Sequence, residues 1–278
     1  MSSPICVSVF WPGLDNIKHL VVFGDSFSAV GYNSKDRHPC VDHPLGIEFP
    51  GLTSCERIDE TTGEVTYEPN WVGHFVQTVN AKRVGHPMLV YDYAVSGDTV
   101  ARMKLWQVEK EFLPHLAPPP EWAPWTPSDT LFITWIGIND CTYNIRLQPS
   151  AAQRSFDDLF AAQEELYTAG ARNFCFVAVP PAHTFPKGPK TLRAKDAYVA
   201  WNPMLRQRAL QFSEAHADAT VLIFSSCDLF TRVLSDPSYA EGTERQTLLF
   251  VDGFHPSSIL HQMLSTELLA YLSNVVLT

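Results

Sequence analysis

The sequence predicts an α/β fold in which a parallel sheet carries helices on both faces. Short runs rich in Val, Ile, Leu and Phe occur five times, and several are near-continuous, as in strands that are buried on both faces. Segments with helical spacing lie between these runs, so strands and helices alternate along the chain. With 278 residues, 45% of them hydrophobic, the chain can bury a sizeable core, and wholesale disorder is excluded.

The predicted elements follow in order along the chain. The strands cover residues 20–23, 88–93, 130–135, 174–179 and 221–224. The helices cover residues 156–166, 201–212 and 257–272. Gly170 is a stop signal for the first of these helices, while Pro256 and Ser257 suit the start of the last.

Two long irregular segments interrupt this pattern. Residues 32–70 combine Pro, Gly, His and acidic residues with little periodicity. Residues 114–127 hold six prolines, which exclude a regular helix or a central strand. Because strand-like runs of the same sheet flank both segments, we expect a single domain over residues 1–278 with long loops, which often border an active site.

The charge of the chain limits its partners. A formal net charge of −10 argues against nucleic acid and anionic membranes, and a small-molecule ligand is expected instead. No apolar run approaches the roughly 20 residues that span a bilayer. Residues 1–11 lack the regions of a secretory signal and no Asn-x-Ser/Thr sequon occurs, so an intracellular protein is slightly favoured. Secretion is the alternative if a signal peptide has been removed. The sequence predicts no oligomeric state.

The cysteines predict neither a disulfide framework nor a metal site. Six are present in a long chain without a Cys-x-x-Cys motif, so a zinc ribbon is not expected. Cys175 lies in a strand pattern and is most simply a core thiol, whereas Cys40 and Cys55 flank a loop and could pair in an oxidising compartment. Residues 38–43 offer four potential metal ligands, but their spacing matches no metal motif.

Four short polar blocks each follow a strand-like run. They are Gly24-Asp25-Ser26, Ala94-Val95-Ser96-Gly97-Asp98, Gly137-Ile138-Asn139-Asp140 and Asp252-Gly253-Phe254-His255. Since the carboxyl ends of parallel strands meet at one edge of a sheet, we expect the blocks to converge there. Taken singly, each block also fits a turn, a helix cap or a structural histidine. Together they supply the groups that acyl transfer requires.

Each residue type in these blocks answers a chemical need. A serine hydroxyl such as that of Ser26 is a poor nucleophile until a base takes its proton, and His255 is the candidate base. Asp252 precedes it by three positions, so on a tight helical turn it would share a face with His255 and orient the imidazole. Asn139, the backbone N–H of Gly97 and the backbone N–H of Ser26 are candidate donors for an oxyanion. Gly-x-Ser-x-Gly is absent, so the nucleophile elbow of α/β-hydrolases does not apply.

These blocks resemble those of the SGNH (GDSL-type) hydrolases. Ser26, Gly97, Asn139 and His255 match the four residues that name the superfamily, and Asp252 matches its Asp-x-x-His pair. The match in order and context extends from about residue 18 to residue 272. The resemblance implies a flavodoxin-like three-layer α/β/α sandwich around a five-stranded parallel sheet. It also implies a serine esterase that needs no metal or organic cofactor.

A closer resemblance is to fungal acetyl esterases of carbohydrate esterase family 16. The segments that carry it are Pro44-Leu45-Gly46, Pro50-Gly51, Pro69-Asn70-Trp71-Val72, Ala123-Pro124-Trp125 and Trp135-Ile136-Gly137-Ile138-Asn139-Asp140. Residues 54–68 are longer and more charged than that family leads us to expect. The resemblance implies hydrolysis of acetyl esters of small carbohydrates, such as xylo-oligosaccharides, and of aryl acetates through an acyl-serine.

Two alternatives to the acetyl esterase stay open. Asp25, Trp135, Ile138 and Phe254 are candidate substrate contacts, and the three bulky side chains suggest a small acyl pocket. Trp135 more simply packs beside the third strand, and Asp25 more simply shapes the turn before Ser26. Because the depth of this pocket does not follow from the sequence, a lipase or thioesterase for longer acyl chains is one alternative. A silent carbohydrate-binding protein on the same fold is the other, although no member of the triad is missing.

Overall fold

The computed structural model describes residues 1–59, 61–83, 85–145, 148, 150–236, 238 and 248–277. Its centre is a six-stranded sheet in which five strands run parallel and the first runs antiparallel at one edge. The strands of this sheet are β1 (Ser3–Cys6), β2 (His19–Gly24), β5 (Leu89–Asp92), β6 (Thr130–Trp135), β7 (Asn173–Val177) and β8 (Thr220–Phe224). Their spatial order is β1-β8-β7-β6-β2-β5. The predicted parallel α/β sheet is thus confirmed.

The order of the strands places the first three polar blocks side by side. Strand β2 lies between β6 and β5, and all residues of β2 and β6 are buried. In the parallel register Gly24 lies opposite Trp135, and Val22 lies opposite Asp92. The ends of β2, β5 and β6 therefore share one edge, with the Ser26 turn in the middle.

Strand β1 was not predicted from the sequence. It is four residues long, only partly buried, and its register shifts between Pro4 and Cys6 where it pairs with β8. A proline and an incomplete apolar pattern hide such a strand, because its position depends on β8 and not on its own preference. The five predicted strands were correct to within a few residues at each end.

Helices cover both faces of the sheet and complete a three-layer α/β/α arrangement. They are α1 (Trp71–Asn80), α2 (Val100–Arg102), α3 (Leu113–Leu116), α4 (Ala151–Thr168), α5 (Leu192–Ala215), α6 (Ser226–Ser235) and α7 (Ser258–Ser273). Helix α1 packs against α7, and α4 packs against α5. The three predicted helices correspond to α4, α5 and α7. Helix α5 is longer than predicted mainly because it begins at Leu192, where the side chain of Thr191 caps it by accepting the N–H of Ala194.

A π-helix, Met103–Phe112, connects α2 to α3 without a break. Its inward side carries Met103, Gln107, Val108 and Phe112, all buried. The π geometry advances by more residues per turn than an α-helix, so its inward side chains do not follow the 3.6-residue period. This explains why periodicity did not predict a helix here. A second π-helical segment, Asp140–Ile145, follows β6.

The two long loops differ in structure. Residues 32–70, expected to be irregular, include a two-stranded hairpin, β3 (Glu56–Ile58) with β4 (Val65–Tyr67), which is largely exposed. The same loop covers the free edge of β5, where the N–H of Val90 donates to the carbonyl of Pro44 at 2.8 Å. In the proline-rich segment, the buried indole of Trp125 donates to the carbonyl of Leu116 at 2.7 Å.

The structure answers two smaller questions from the sequence. All six cysteines are free, and Cys40 is exposed whereas Cys55 is buried. No helix in the described part of the chain has both the length and the apolar character to cross a bilayer. The single-domain organisation of residues 1–278 stays a prediction.

Candidate active site

Ser26 lies in a tight turn directly after β2. The carbonyl of Asp25 accepts hydrogen bonds from the N–H groups of Ser28 at 3.0 Å and Ala29 at 2.9 Å. The carboxylate of Asp25 accepts a third, from the N–H of Phe27 at 3.1 Å. These bonds fold the chain back at the end of the strand, and the side chain of Ser26 points to the edge where His255 lies.

His255 lies between Ser26 and Asp252. Its Nε2 is 3.1 Å from Ser26 Oγ, and its Nδ1 is 2.8 Å from Asp252 Oδ2. A carboxylate can only accept, so the Nδ1–H donates to Asp252 and leaves Nε2 to accept the Ser26 hydroxyl proton. The structure therefore brings together the three residues that the sequence nominated for nucleophile, base and orienter.

The local geometry of Asp252 differs from the helical turn that the spacing suggested. Residues 252–255 form a bend, in which Asp252 Oδ1 accepts the N–H groups of Phe254 and His255, both at 2.8 Å. The other oxygen, Oδ2, is left for the imidazole. Burial raises the pKa of Asp252, but the hydrogen bonds from His255 and Phe254 outweigh it and lower the pKa overall. The carboxylate stays charged at neutral pH.

The segment that carries His255 forms several backbone bonds within itself, and its Gly253 carbonyl accepts the N–H of Lys187 at 2.9 Å. Phe250 pairs with Pro256 as an isolated antiparallel bridge, and the N–H of Val251 donates to the carbonyl of His255 at 2.9 Å. The N–H of Ser257 donates to the carbonyl of Leu249 at 2.8 Å. From the 32–70 loop, Cys55 Sγ makes a weak contact with this segment, 3.6 Å from the carbonyl of Pro256.

The second and third blocks lie on the other side of Ser26. Gly97 has φ of +81°, a conformation that side chains other than glycine rarely adopt, and it is exposed to solvent. The Nδ2 of Asn139 donates to the carbonyl of Asp98 at 2.9 Å, which orients the amide. A primary amide has two N–H groups, so one stays free for a substrate oxygen.

Asp140, the last residue of the third block, is hydrogen-bonded to the start of α2, which follows the second block, and to helix α4. Its Oδ2 accepts the N–H of Val100 at 3.0 Å, and its Oδ1 accepts the hydroxyl of Ser155 at 2.8 Å. Burial raises the pKa of Asp140 to about 6, against the lowering effect of these two bonds. The bond from the Val100 N–H to Asp140 and the bond from Asn139 to the Asp98 carbonyl thus connect the two loops at two points.

A tryptophan fixes the start of the third block. Gly137 has φ of +120°, and a Cβ atom there would overlap the indole ring of Trp201 from α5. Only glycine allows the indole to lie this close to the backbone. Trp201 is itself almost completely buried and packs on Phe156 with ring centroids 4.5 Å apart.

Sequence reasoning missed the residues that support the site, and Gln107 is the clearest case. Its amide is hydrogen-bonded to Gly24 in the first block and to Asp98 in the second. Gln107 lies among charged residues such as Lys104 and Glu109, in a segment where periodicity predicts no helix, so the sequence marks it only as one more polar residue. That signal is weak without knowledge of what the side chain faces. Asp98, Asp140 and Trp201 were also not assigned supporting roles.

The four candidate substrate contacts have different positions. Trp135 is 2% exposed, and its ring packs edge-on against Phe27 at 5.4 Å and Trp71 at 6.4 Å, so it belongs to the core under the site. Ile138 and Asp25 are buried as well. Phe254 is partly exposed and contacts Phe27 with ring centroids 6.3 Å apart. Of the four, Phe254 is the side chain with surface left for a ligand.

Asp25 is a buried carboxyl whose charge is disfavoured. Burial raises its pKa to about 7, and the neighbouring carboxyls of Asp140 and Asp98 add to this effect. The hydrogen bond from Phe27 opposes the shift but does not cancel it. Asp25 therefore titrates close to neutral pH.

The potential metal ligands of residues 38–43 do not form a cluster. The ring of His38 stacks on Trp122 with centroids 3.6 Å apart, and His43 lies 3.7 Å from the carboxylate of Glu48. Within the described ranges, no group of three or more His, Cys, Asp or Glu side chains is placed to hold a metal ion.

Comparison with known proteins identifies the family. The family model described as GDSL-like Lipase/Acylhydrolase matches residues 20–268. An acetylesterase from Thermothelomyces thermophilus is 25% identical over 275 residues, which cover 89% of this chain and 86% of that protein.

Solved structures share the fold. Axe2, an acetylxylan esterase from Geobacillus stearothermophilus, superposes with a TM-score of 0.60 at 16% identity, over 93% of this chain and 95% of that one. LAE5, described as an α/β hydrolase enzyme from the metagenome of Lake Arreo, Spain, gives 0.58 at 16% identity, over 96% and 99%. The architecture is thus the SGNH hydrolase fold. The chain belongs to the GDSL-like lipase/acylhydrolase family and is a carboxylic ester hydrolase.

Proposed function

We propose that Ser26, His255 and Asp252 are the catalytic triad of an acetyl esterase that works through an acyl-serine. The observation that carries the proposal is the chain of two hydrogen bonds, from Ser26 Oγ to His255 Nε2 at 3.1 Å and from His255 Nδ1 to Asp252 Oδ2 at 2.8 Å. This is the geometry in which an imidazole can take a hydroxyl proton while a carboxylate stabilises the resulting cation.

The reaction follows from that geometry in two steps. Ser26 Oγ attacks the ester carbonyl as His255 takes its proton, and the tetrahedral intermediate collapses when His255 returns the proton to the departing alcohol oxygen. Water then attacks the acyl-serine, again losing a proton to His255, and the acid leaves as Ser26 regains its hydrogen. Asp252 keeps its charge throughout, because its role is to orient and stabilise the imidazolium.

The oxyanion of each intermediate would be held by three donors. These are the backbone N–H of Ser26, the backbone N–H of Gly97 and the free N–H of the Asn139 amide. Donors of this kind are effective when they are fixed before the reaction. The bonds of Asn139 to the Asp98 carbonyl and of Asp140 to the Val100 N–H support such a fixed arrangement.

For the substrate we propose acetyl esters of small acetylated carbohydrates, such as xylo-oligosaccharides, together with aryl acetates. The similarity to an acetylesterase and to an acetylxylan esterase supports this class. The aromatic ring of Phe254 next to His255 adds a bulky wall at the site, with ring centroids 5.6 Å apart. A wall of this kind favours a small acyl group over a long one.

The first test is hydrolysis of p-nitrophenyl acetate by Ser26→Ala. We expect kcat to fall by about 10⁴-fold or more, as in other triads that lose their nucleophile. Ser213→Ala is the matched control, because its buried hydroxyl donates to its own helix, to the carbonyl of Leu210 at 2.8 Å. Turnover by Ser26→Ala at the rate of this control would refute the assignment of the nucleophile.

A lipase or thioesterase for longer acyl chains is the second candidate, favoured by the family description as a lipase/acylhydrolase. A series of p-nitrophenyl esters from C2 to C8 separates the two. The acetyl esterase predicts kcat/KM highest at C2, and an optimum at C8 would instead establish the second candidate. Acetylated xylo-oligosaccharides, run beside Ser26→Ala, then test the carbohydrate class.

A further inference from the structure

Gln107 is a buried glutamine whose side-chain amide is fully used. It is 1% exposed on the inward side of the π-helix. Its Oε1 accepts the N–H of Gly24 at 3.0 Å, and its Nε2 donates to the carbonyl of Gly24 at 2.7 Å and to Asp98 Oδ2 at 2.9 Å. A primary amide has two donor hydrogens and both are engaged, which fixes the plane of the group.

The two hydrogen bonds between Gln107 and Gly24 take the place of the backbone bonds that a longer β5 would form with the end of β2. Strands β2 and β5 are paired as far as Val22 and Asp92, and Gly24 lies beyond that pairing. On this side the carbonyl of Gly24 also accepts the N–H of Val95, at 3.2 Å. The Gln107 amide binds both the N–H and the C=O of Gly24, as the backbone of a neighbouring strand would. The last residue of β2 is therefore held by a side chain.

The third bond of the amide reaches the opposite side of the site. Asp98 directly follows Gly97, and its buried carboxylate accepts from Arg102 Nε at 2.6 Å as well as from Gln107. The carbonyl of the same Asp98 accepts the amide of Asn139. Gln107 thus bonds to Gly24, two positions before Ser26. It also bonds to Asp98, which follows Gly97 in the sequence and accepts a hydrogen bond from Asn139.

We propose that Gln107 is a positioning residue, which sets the distance between the Ser26 hydroxyl and the oxyanion donors Gly97 and Asn139. It touches no substrate atom and acts through Gly24 and Asp98. The inference rests on the proposed function, because it assigns Gln107 a part in the same acyl transfer. A displacement of about 1 Å between a nucleophile and its supporting groups costs on the order of 10²-fold in rate, so three bonds that prevent it matter for kcat.

The decisive variant is Gln107→Met, which keeps the length of the side chain and removes all three hydrogen bonds. We expect kcat on p-nitrophenyl acetate to fall by about 10- to 100-fold with KM within about 2-fold, because the interaction acts on the transition state. Rates are expressed per active site, counted by the burst of p-nitrophenol on stoichiometric reaction with diethyl p-nitrophenyl phosphate. This count removes unfolded molecules from the comparison.

Gln163→Met is the matched control. Gln163 is equally buried, in α4, and its Nε2 donates only to the carbonyl of Leu159 in its own helix, at 3.4 Å. Both variants replace a buried glutamine by methionine within a helix. We expect Gln163→Met to keep the wild-type kcat per titrated site, so a loss confined to Gln107→Met separates positioning from a general loss of stability.

A second variant keeps the test decisive if Gln107→Met does not fold. Gln107→Glu retains the size and an acceptor for the Gly24 N–H, but it loses at least one of the two donated bonds, and both when it is ionised beside the Asp98 carboxylate. We expect kcat per titrated site to fall at least as far as in Gln107→Met. A wild-type kcat per site in either variant overturns the proposal. Failure of the proposed function looks different, since Ser26→Ala would then stay active.

Discussion

Ser26 and His255 face each other across one hydrogen bond, yet the two sides of the site are held in opposite ways. Ser26 is 7% exposed and follows β2, a fully buried strand that lies between β6 and β5. On the other side, 29% of the His255 side chain and 50% of the Asp252 side chain are exposed. The side of the proposed nucleophile is thus built into the core, whereas the side of the proposed base lies closer to the surface.

The bonds that hold the two sides also differ in range. Gln107 reaches Gly24 across 83 positions of sequence, and Asn139 reaches Asp98 across 41. In contrast, Asp252 binds residues two and three positions away. A buried long-range network couples chemistry to stability, because breaking it leaves unsatisfied polar groups in the core. A substitution in a local bend at the surface can abolish catalysis while the fold stays intact.

The sharpest test of this contrast is His255→Gln. We expect kcat on p-nitrophenyl acetate to fall by about 10⁴-fold, because no other side chain in the described part of the chain is hydrogen-bonded to the Ser26 hydroxyl to take its proton. The thermal midpoint should change by no more than about 2 °C, since the side chain lies at the surface. His86→Gln, at an exposed histidine, is the control and should change neither quantity. A large fall in the thermal midpoint of His255→Gln would show that the His255 side contributes to stability as the Ser26 side does, and would contradict the proposed difference between them.

Asn139→Ala should affect both activity and stability. Loss of the amide removes an oxyanion donor, for which we expect kcat to fall by about 10²- to 10³-fold. It also leaves the buried carbonyl of Asp98 without this donor, which should cost about 1 kcal/mol of unfolding free energy. Asn173→Ala, at the opposite edge of the sheet, breaks bonds to Pro127 and Thr130 and should lower stability alone. Equal kcat values for the two variants would exclude Asn139 from the oxyanion hole.

Asp25→Asn tests the buried carboxyl through the pH dependence of stability. The folded pKa of about 7 lies above the ordinary 3.8, so the native state binds more protons and wild-type stability falls as the pH rises from about 4 to 7. Asparagine keeps an oxygen for the Phe27 N–H and cannot ionise. Its stability relative to wild type should therefore grow by about 2–4 kcal/mol over this range and then level off.

Urea unfolding of both proteins between pH 4 and pH 8 measures this difference. The comparison within a pair of proteins cancels the titration of groups that they share. A stability difference that does not change with pH would show that Asp25 is charged at no cost in the folded protein.

Ser155→Ala is expected to have the smallest effect. It removes the hydroxyl that donates to Asp140 but leaves the bond from the Val100 N–H in place. We expect a loss of about 1–2 kcal/mol in unfolding free energy and less than about 10-fold in kcat. Ser213→Ala removes an equally buried hydroxyl from a neutral carbonyl, and it should lose less in the same denaturant titration. A larger loss in Ser213→Ala would contradict the role of the Asp140 charge.

The sequence predicted those features that depend on local pattern and on general rules of sheet topology. The five parallel strands are nearly continuous apolar runs, and the rule that strand ends meet at one edge is enough to bring Ser26, Gly97 and Asn139 near each other. Asp252 and His255 are three positions apart, so their contact was accessible from spacing alone. Even there the spacing misled on conformation, because a bend as well as a helical turn brings such residues together.

The supporting contacts could not be predicted for a physical reason. Whether Gln107 faces Gly24 depends on the π-helix that turns it inward, and that helix depends on packing across the whole fold. The contact of Trp201 with Gly137 likewise joins two elements whose relative position no local pattern records. The hairpin of β3 and β4 and the edge strand β1 are short and partly exposed, so burial left little trace in their sequences.

The two ends of the sheet carry a consequence for the solubility of the protein. An open edge of a buried sheet is a template on which another chain can add a strand and begin to aggregate. At one end β1 covers β8 with only four residues, a proline and a break in register, which together offer a poor surface for a further strand. At the other end the loop carbonyl of Pro44 occupies the Val90 N–H, and a proline has no N–H of its own to extend a ladder. A chain without residues 3–6 would expose the apolar strand β8 and should self-associate, although the proposed active site lies elsewhere.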